Sequence, residues 1–321
     1  MPWRSMVPAV HLPMTTRLAL CCEPRRVGRK MLVSLLIVRR NQDCISMTST
    51  WPDIDAVTNL VDEIAQAAIL PRFRRLGRED VEHKSTAADP DDIVTVVDRD
   101  VEERLTLALK ALVPSAPVIG EEAVHARPEL LNLRVSDGPL WLLDPIDGTR
   151  NFARGDDGFG VMLAWVVAGR AQAAWILLPA RGQIFVAEAG SGAFLNGVRA
   201  TVAPPSTGGL PRGALLVRYM PGSLGETVTH AMRGHFDAVE PSGCSAVEYT
   251  DILGGKADFA VYYRLLPWDH AAPALILVEG GGRVEHLDGT PYSARSDNQV
   301  TVVARDARVL GQVRNCLTPH V

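Results

Sequence analysis

The chain is poor in cysteine and orders none of it. Five cysteines (Cys21, Cys22, Cys44, Cys244 and Cys316) are scattered over 321 residues without a C-x-x-C pair or a ligand spacing with histidine. That excludes a soft-metal site and argues for a reduced, cytoplasmic protein. No long basic run is present, and the formal net charge is −4, which argues against nucleic acid or an anionic membrane as partner. The apolar run at residues 31–38 is far too short to span a bilayer. It also lies late for a signal peptide, with no small-residue cleavage pattern close behind it. There is no strand, glycine-rich loop and helix in the order a nucleotide-binding protein needs. Gly280, Gly281 and Gly282 follow a helical segment instead of opening one. Low-complexity tracts and internal repeats are absent too. What remains is a chain that is 47% hydrophobic and long enough to bury a large core, as one compact body or two fused halves.

Residues 1–46 differ from the rest. They hold three of the cysteines and the basic pairs Arg25-Arg26, Arg29-Lys30 and Arg39-Arg40. They read as an N-terminal extension outside the core, with Met47 as an alternative start. Ile54, Val57, Val61, Ile64, Ala68 and Ile69 then recur at mostly three- and four-residue spacing, which predicts a helix closed by Pro71. A strand at 93–97 passes into an amphipathic segment at 101–112. Asp98 stands at the change, either as a carboxylate at a strand end or as a helix cap. Residues 159–168, 171–178 and 184–189 form an antiparallel meander, and the proline-rich stretch 202–211 marks a seam. Beyond it, strands at 214–219, 258–263 and 300–304, and a short one opening at Ala238, alternate with helices at 226–235, 245–253 and 270–278. The end, 305–317, is helical or frayed. The expected division is an α+β half at 47–201 and an α/β half at 202–321.

The stretch 141–152 reads WLLDPIDGTRNF. Its apolar run stops at Asp144, Pro145 fixes the backbone, Asp147 follows three residues on, and Gly148 with Thr149 closes a bend. On its own this fits two acids on a surface turn. It is not alone: Gly120-Glu121-Glu122 ends another brief apolar run, and Pro267-Trp268-Asp269-His270 opens an alanine-rich one. Acids carried by the ends of separate elements, beside glycine and threonine, suit an oxygen-ligand site for a hard divalent cation. These stretches, in this order and spacing, resemble the inositol monophosphatase family of the Mg2+-dependent, lithium-sensitive phosphatase superfamily.

The resemblance implies a layered αβαβα sandwich of the inositol monophosphatase / fructose-1,6-bisphosphatase type. It implies phosphate monoester hydrolysis with two to three Mg2+ ions, Mn2+ substituting, by direct attack of metal-activated water. Glu121, Asp144, the Ile146 carbonyl, Asp147 and Asp269 match the metal positions, and Asp98 with Thr149 matches the pair that activates the water. Gly148 and Thr149 match the phosphate-holding backbone, Lys84 a nearby lysine of electrostatic role, and Glu122 a supporting acid. Trp268 and His270 read as a packing residue and a surface or supporting group. Gly243, Cys244 and Ser245 match the stretch that lines the polyol pocket. Tyr262 stands where the family usually carries a glutamate, with Arg264 close by, a departure that bears on substrate and leaves hydrolysis untouched. Pro273 also departs from the family's usual glycine. The expected substrate is inositol 1-phosphate or a related polyol or sugar phosphate. Histidinol phosphate, fructose 1,6-bisphosphate and 3′-phosphoadenosine 5′-phosphate are the alternatives, and a non-catalytic regulatory protein of the same fold is a further one. A homodimer in the cytoplasm, with no nucleic acid and no membrane, completes the expectation.

Overall fold

The computed structural model describes residues 51–84, 89, 92–204 and 209–321. The expected extension at 1–46 therefore lies outside the described residues. In chain order the helices are α1 (Ile54–Ile64), α2 (Val96–Leu112), α3 (Glu121–Ala126), α4 (Thr149–Arg154), α5 (Leu224–Met232), α6 (Ser245–Leu253), α7 (Pro267–Glu279) and α8 (Ala307–Leu317). The strands are β1 (Val81–His83), β2 (Ile93–Thr95), β3 (Val118–Gly120), β4 (Pro139–Asp147), β5 (Gly160–Val167), β6 (Arg170–Leu178) and β7 (Gln183–Glu188). They continue with β8 (Gly192–Leu195), β9 (Val198–Ala200), β10 (Arg212–Leu215), β11 (Asp237–Val239), β12 (Phe259–Tyr262), β13 (Arg283–His286) and β14 (Thr301–Ala304).

Side-chain alternation on β4 sets the layering. Leu140 and Leu142 face a core shared with α6 and α7, whereas Trp141 and Leu143 face one shared with α1 and α2. β3 to β9 lie in sequence order in one seven-stranded sheet, antiparallel except for the parallel β3–β4 pair. A five-stranded sheet has the order β11-β10-β12-β14-β13. Ala260 and Val303 turn from it toward the α6/α7 core, while Phe259, Val261, Val302 and Ala304 pack against α5 and α8. The layers are thus helices, sheet, helices, sheet, helices, the αβαβα arrangement.

Several boundaries differ from the sequence reading. Helix α2 begins at Val96, so the strand before it ends at Thr95. The Thr95 hydroxyl accepts from Val97 and Asp98 N–H, and the Asp98 carboxylate accepts from Thr95 N–H, a reciprocal cap that starts the helix early. Helix α7 begins at Pro267, which suits a first helical position because its missing N–H has no partner to lose. Strand β10 ends at Leu215, ahead of a 3₁₀ turn at Val217–Tyr219. Strand β13 was not anticipated and pairs with β14. Most of β5 and β6 is buried on both faces in the two cores, whereas Gln183, Ile184, Val186 and Glu188 of β7 are only half-buried.

Candidate active site

Strand β4 carries two of the acids through a bulge. Asp144 pairs with Met162 and Asp147 with Gly160, three steps on one strand against two on the other. Residues three apart on a regular strand point to opposite faces, and the extra residue cancels that half-turn. The Ile146 side chain is fully buried in the α1/α2 core, while its carbonyl accepts from Thr149 Oγ1 at 2.9 Å. The same hydroxyl has Asp98 Oδ1 as its other acceptor, at 3.1 Å. Gly148 between them has φ 79°, and a Cβ there would lie 2.7 Å from the Gly158 carbonyl oxygen. Only glycine makes that turn without strain.

Glu121 opens α3, where Lys84 Nζ donates to Glu121 Oε1 at 2.8 Å and to Glu122 Oε1 at 2.6 Å. Burial alone would lower the lysine's pKa, yet the two carboxylates raise it, so Lys84 stays charged. Sequence reasoning missed Glu102. Buried on α2, it accepts from the backbone N–H of Glu122 (2.8 Å) and Ala123 (2.7 Å) and so caps the helix that presents Glu121. The one available signal was its place four residues after Asp98, on the same face of α2.

Asp147 Oδ2 accepts from Ala246 N–H at 2.6 Å and from Cys244 Sγ at 3.2 Å. The stretch Gly243 to Ser245 thus lies against this acid at the start of α6. Asp269 stands in the first turn of α7. His270 is buried, not at the surface: it accepts from the Tyr249 hydroxyl through Nδ1 and donates from Nε2 to the Arg264 carbonyl, both at 3.0 Å. The carbonyl can only accept, which fixes the tautomer. Burial lowers the His270 pKa to about 4, so the ring is neutral. Tyr262 is buried among Tyr249 and His270, its ring 4.7 Å from the imidazole, and among the described residues its hydroxyl has no partner in full hydrogen-bonding geometry, Ser245 being the nearest influence on it. The half-buried Arg264 lays its guanidinium over the Tyr219 ring, 3.7 Å from the centroid.

The electrostatics of the acids are those of a crowd. Burial pushes Asp98 and Asp147 up to about 7. Asp144 is held well above the usual carboxylate range, first by burial and then by Glu121, Asp147, Asp269 and Asp98. Asp269 is also raised, chiefly by desolvation, with Arg264 opposing. The buried Asp144 Oδ1 has no hydrogen-bond partner among the described residues. An orphaned carboxylate oxygen among other acids fits a hard divalent cation, which takes oxygen ligands and removes the mutual repulsion. Among the described residues no three His, Cys, Asp or Glu side chains converge tightly enough to hold an ion as they stand. Glu121 is turned to Lys84 and Asp147 to Ala246, as carboxylates that repel one another would be.

A family model described as the inositol monophosphatase family matches residues 53–317. The chain belongs to the inositol monophosphatase family. The fructose-1,6-bisphosphatase/inositol-1-monophosphatase of Thermotoga maritima is 30% identical over 228 residues, 69% of this chain and 81% of the relative. The Nus factor SuhB of Pseudomonas aeruginosa is 29% identical, covering 78% of this chain and 91% of its own. A solved structure of the Thermotoga maritima IMPase superposes with a TM-score of 0.66 at 25% identity, over 83% of this chain and 98% of that one. At the level of the family, the chain is a metal-dependent phosphate monoester hydrolase. No helix among the described residues is long and apolar enough to cross a membrane.

Proposed function

We propose that this chain hydrolyses inositol 1-phosphate or a related small polyol or sugar phosphate, and that Glu121, Asp144, the Ile146 carbonyl, Asp147 and Asp269 hold the Mg2+ ions it requires. The observation that carries the reading is the buried Asp144 oxygen without a partner, ringed by acids that each raise its pKa. When bound, Mg2+ supplies positive charge to the phosphoryl oxygens and lowers the pKa of water. Every other task falls to the chain. Asp98 and the Thr149 hydroxyl, 3.1 Å apart, hold the attacking water and take its proton. Gly148 and Thr149 offer backbone N–H groups to the phosphate. Gly243, Cys244, Ser245, Tyr262 and Arg264 border the space left for the alcohol. Lys84 stays charged between Glu121 and Glu122 and keeps their carboxylates apart from the others.

On this reading the halves 47–201 and 202–321 meet at the acids, and the protein works as a cytoplasmic homodimer, an assembly resting on family resemblance. The test is phosphate release from inositol 1-phosphate and fructose 1-phosphate with Mg2+, with Mn2+ and with excess EDTA. Turnover should appear with either metal and stop with EDTA. Equal rates with and without EDTA would overturn the proposal, and wild-type rates in Asp144→Asn or Asp269→Asn would overturn the ligand assignment.

A further inference from the structure

Beside the acids lies a concentration of arginine that hydrolysis of a neutral polyol phosphate does not need. A cavity of about 350 Å³ is lined by Ile93, Arg150, Ala153, Arg154 and Arg218. Arg150 follows Thr149 directly on α4, so the cavity opens within one helix of the candidate catalytic hydroxyl. Two of its arginines are held rigid by one buried carboxylate: Arg150 and Arg218 each donate to Asp89 at 2.7 Å. Tyr219 donates its hydroxyl to the same carboxylate and carries Arg264 on its ring. Arg264 in turn is pinned through its carbonyl by His270 and bears on the charge of Asp269. Contacts therefore run from Arg264, within electrostatic reach of Asp269, through Tyr219 and Asp89 to the wall of the cavity.

Asp89 occupies Arg150 and Arg218, whereas the guanidinium groups of Arg264 and of the exposed Arg154 reach no carboxylate among the described residues. Arginine N–H groups held in place by stacking and ion pairing, beside a cavity of ligand size, suit a planar or tetrahedral anion. In a chain of net charge −4, three arginines lining one cavity offset the repulsion that an incoming anion would meet there.

We propose that this cavity is a subsite for a second negatively charged group on the substrate, so that the preferred ester carries a phosphate or carboxylate on its leaving-group side. The proposal rests on the phosphatase reading and narrows its substrate class. It leaves room for a neutral polyol phosphate only as a poorer substrate.

The experiment compares kcat/KM, with Mg2+, for two matched pairs: fructose 1,6-bisphosphate against fructose 1-phosphate, and 2-phosphoglycerate against glycerol 2-phosphate. The ester with the added anion should be favoured about tenfold to a hundredfold, the worth of one or two charge-assisted hydrogen bonds. Arg154→Gln and Arg264→Gln should each lower that ratio toward one. Arg154 is exposed, so its variant keeps the test alive if Arg218→Gln fails to fold with Asp89 half-paired. A wild-type ratio near one overturns the proposal, as does a ratio unaltered in both variants. Inorganic phosphate separates a substrate subsite from an effector site. If it changes the rate non-competitively, and Arg154→Gln abolishes that effect while the ratio stands, the cavity serves a free anion and the proposal falls. If none of the esters is hydrolysed, the phosphatase reading fails on its own. Calorimetric binding of 2-phosphoglycerate against glycerol 2-phosphate then judges the subsite, and equal affinities overturn it.

Discussion

Glu102→Gln separates the acids that would hold an ion from the residue that aims one of them. Both Glu102 oxygens receive backbone N–H groups, from Glu122 and Ala123, at the start of a helix only six residues long. The fit is close: a Cβ on Gly120 would lie 2.4 Å from the Glu102 carboxyl carbon. A glutamine keeps one acceptor and turns its NH2 group toward the other N–H. An unpaired buried N–H costs about 1–3 kcal/mol, and removing negative charge from a helix N-terminus costs a further ~0.3–1 kcal/mol. Relief of burial and of repulsion from Glu122 and Glu121 runs the other way, since these hold the Glu102 pKa at about 7. The net loss is about 1–3 kcal/mol, which for a chain of this size lowers Tm by roughly 2–8 °C. Its functional trace is larger in metal dependence than in stability, because the first turn of α3 carries Glu121. Titration with Mn2+, followed by electron paramagnetic resonance, should show weaker binding and a higher Mg2+ concentration for half-maximal rate. A variant that melts lower but binds Mn2+ like wild type would make Glu102 a structural cap only, and unchanged melting would refute the capping argument itself.

The other expectations concern the crowding of acids and the bend that follows them. Asp98, Asp147 and Glu102 all have pKa values pushed up to about 7. A carboxyl whose folded pKa is raised stabilises the fold below its unfolded pKa and loses that contribution as pH rises. EDTA-treated protein should therefore melt progressively lower between about pH 4 and pH 7, and Mg2+ should flatten that slope; a rising Tm over the same window would contradict the electrostatics. Asp144→Asn should raise the Tm of the EDTA-treated protein at pH 8 while abolishing its response to Mg2+, and a fall in Tm would show that the acid stabilises the apo site. Gly148→Ala forces a side chain to φ 79° and against the Gly158 carbonyl. It should cost about 1–3 kcal/mol and most of kcat, measured by thermal melts and phosphate release; wild-type kcat would free this turn from any part in catalysis.

The parts of the site that were legible in the sequence are those compressed into short runs. Asp144, Asp147, Gly148 and Thr149 are neighbours in one turn, so spacing and turn chemistry announce them. Glu121 and Asp269 are announced by their places at element ends. Structure brings these acids and Asp98 into electrostatic reach of one another, as Asp144 shows. The layering was expected from the family resemblance alone, because β4 is apolar on both faces and its sequence does not tell the two cores apart. Glu102 was hidden because a glutamate on an amphipathic helix looks like any solvated side chain. The arginine network was hidden differently: Asp89, Arg150, Tyr219 and Arg264 come from four separate parts of the chain, and only the packing of the layers joins them. The start of α7 lies three residues ahead of the expected His270 because the alanine-rich run is the stronger local helix signal, while a proline marks a helix start only once its position at N1 is known.

The bulge in β4 has a consequence for how such a site can be lost. Everything that distinguishes Asp147 from an ordinary strand residue is one surplus amino acid between it and Asp144. The geometry is in effect stored as a count, not as a shape. Deleting Ile146 would erase no acid and no glycine, and would leave the strand with a regular, better-paired ladder. Asp147 would stay opposite Gly160, on the face it shares with Asp144, yet the α1/α2 core would lose the Ile146 side chain and the strand would lose the local bend that leads into Gly148. A family alignment that scores identities would still find the motif's residues, one place out of phase. For this fold, arithmetic between the two aspartates is as much a requirement as the aspartates themselves.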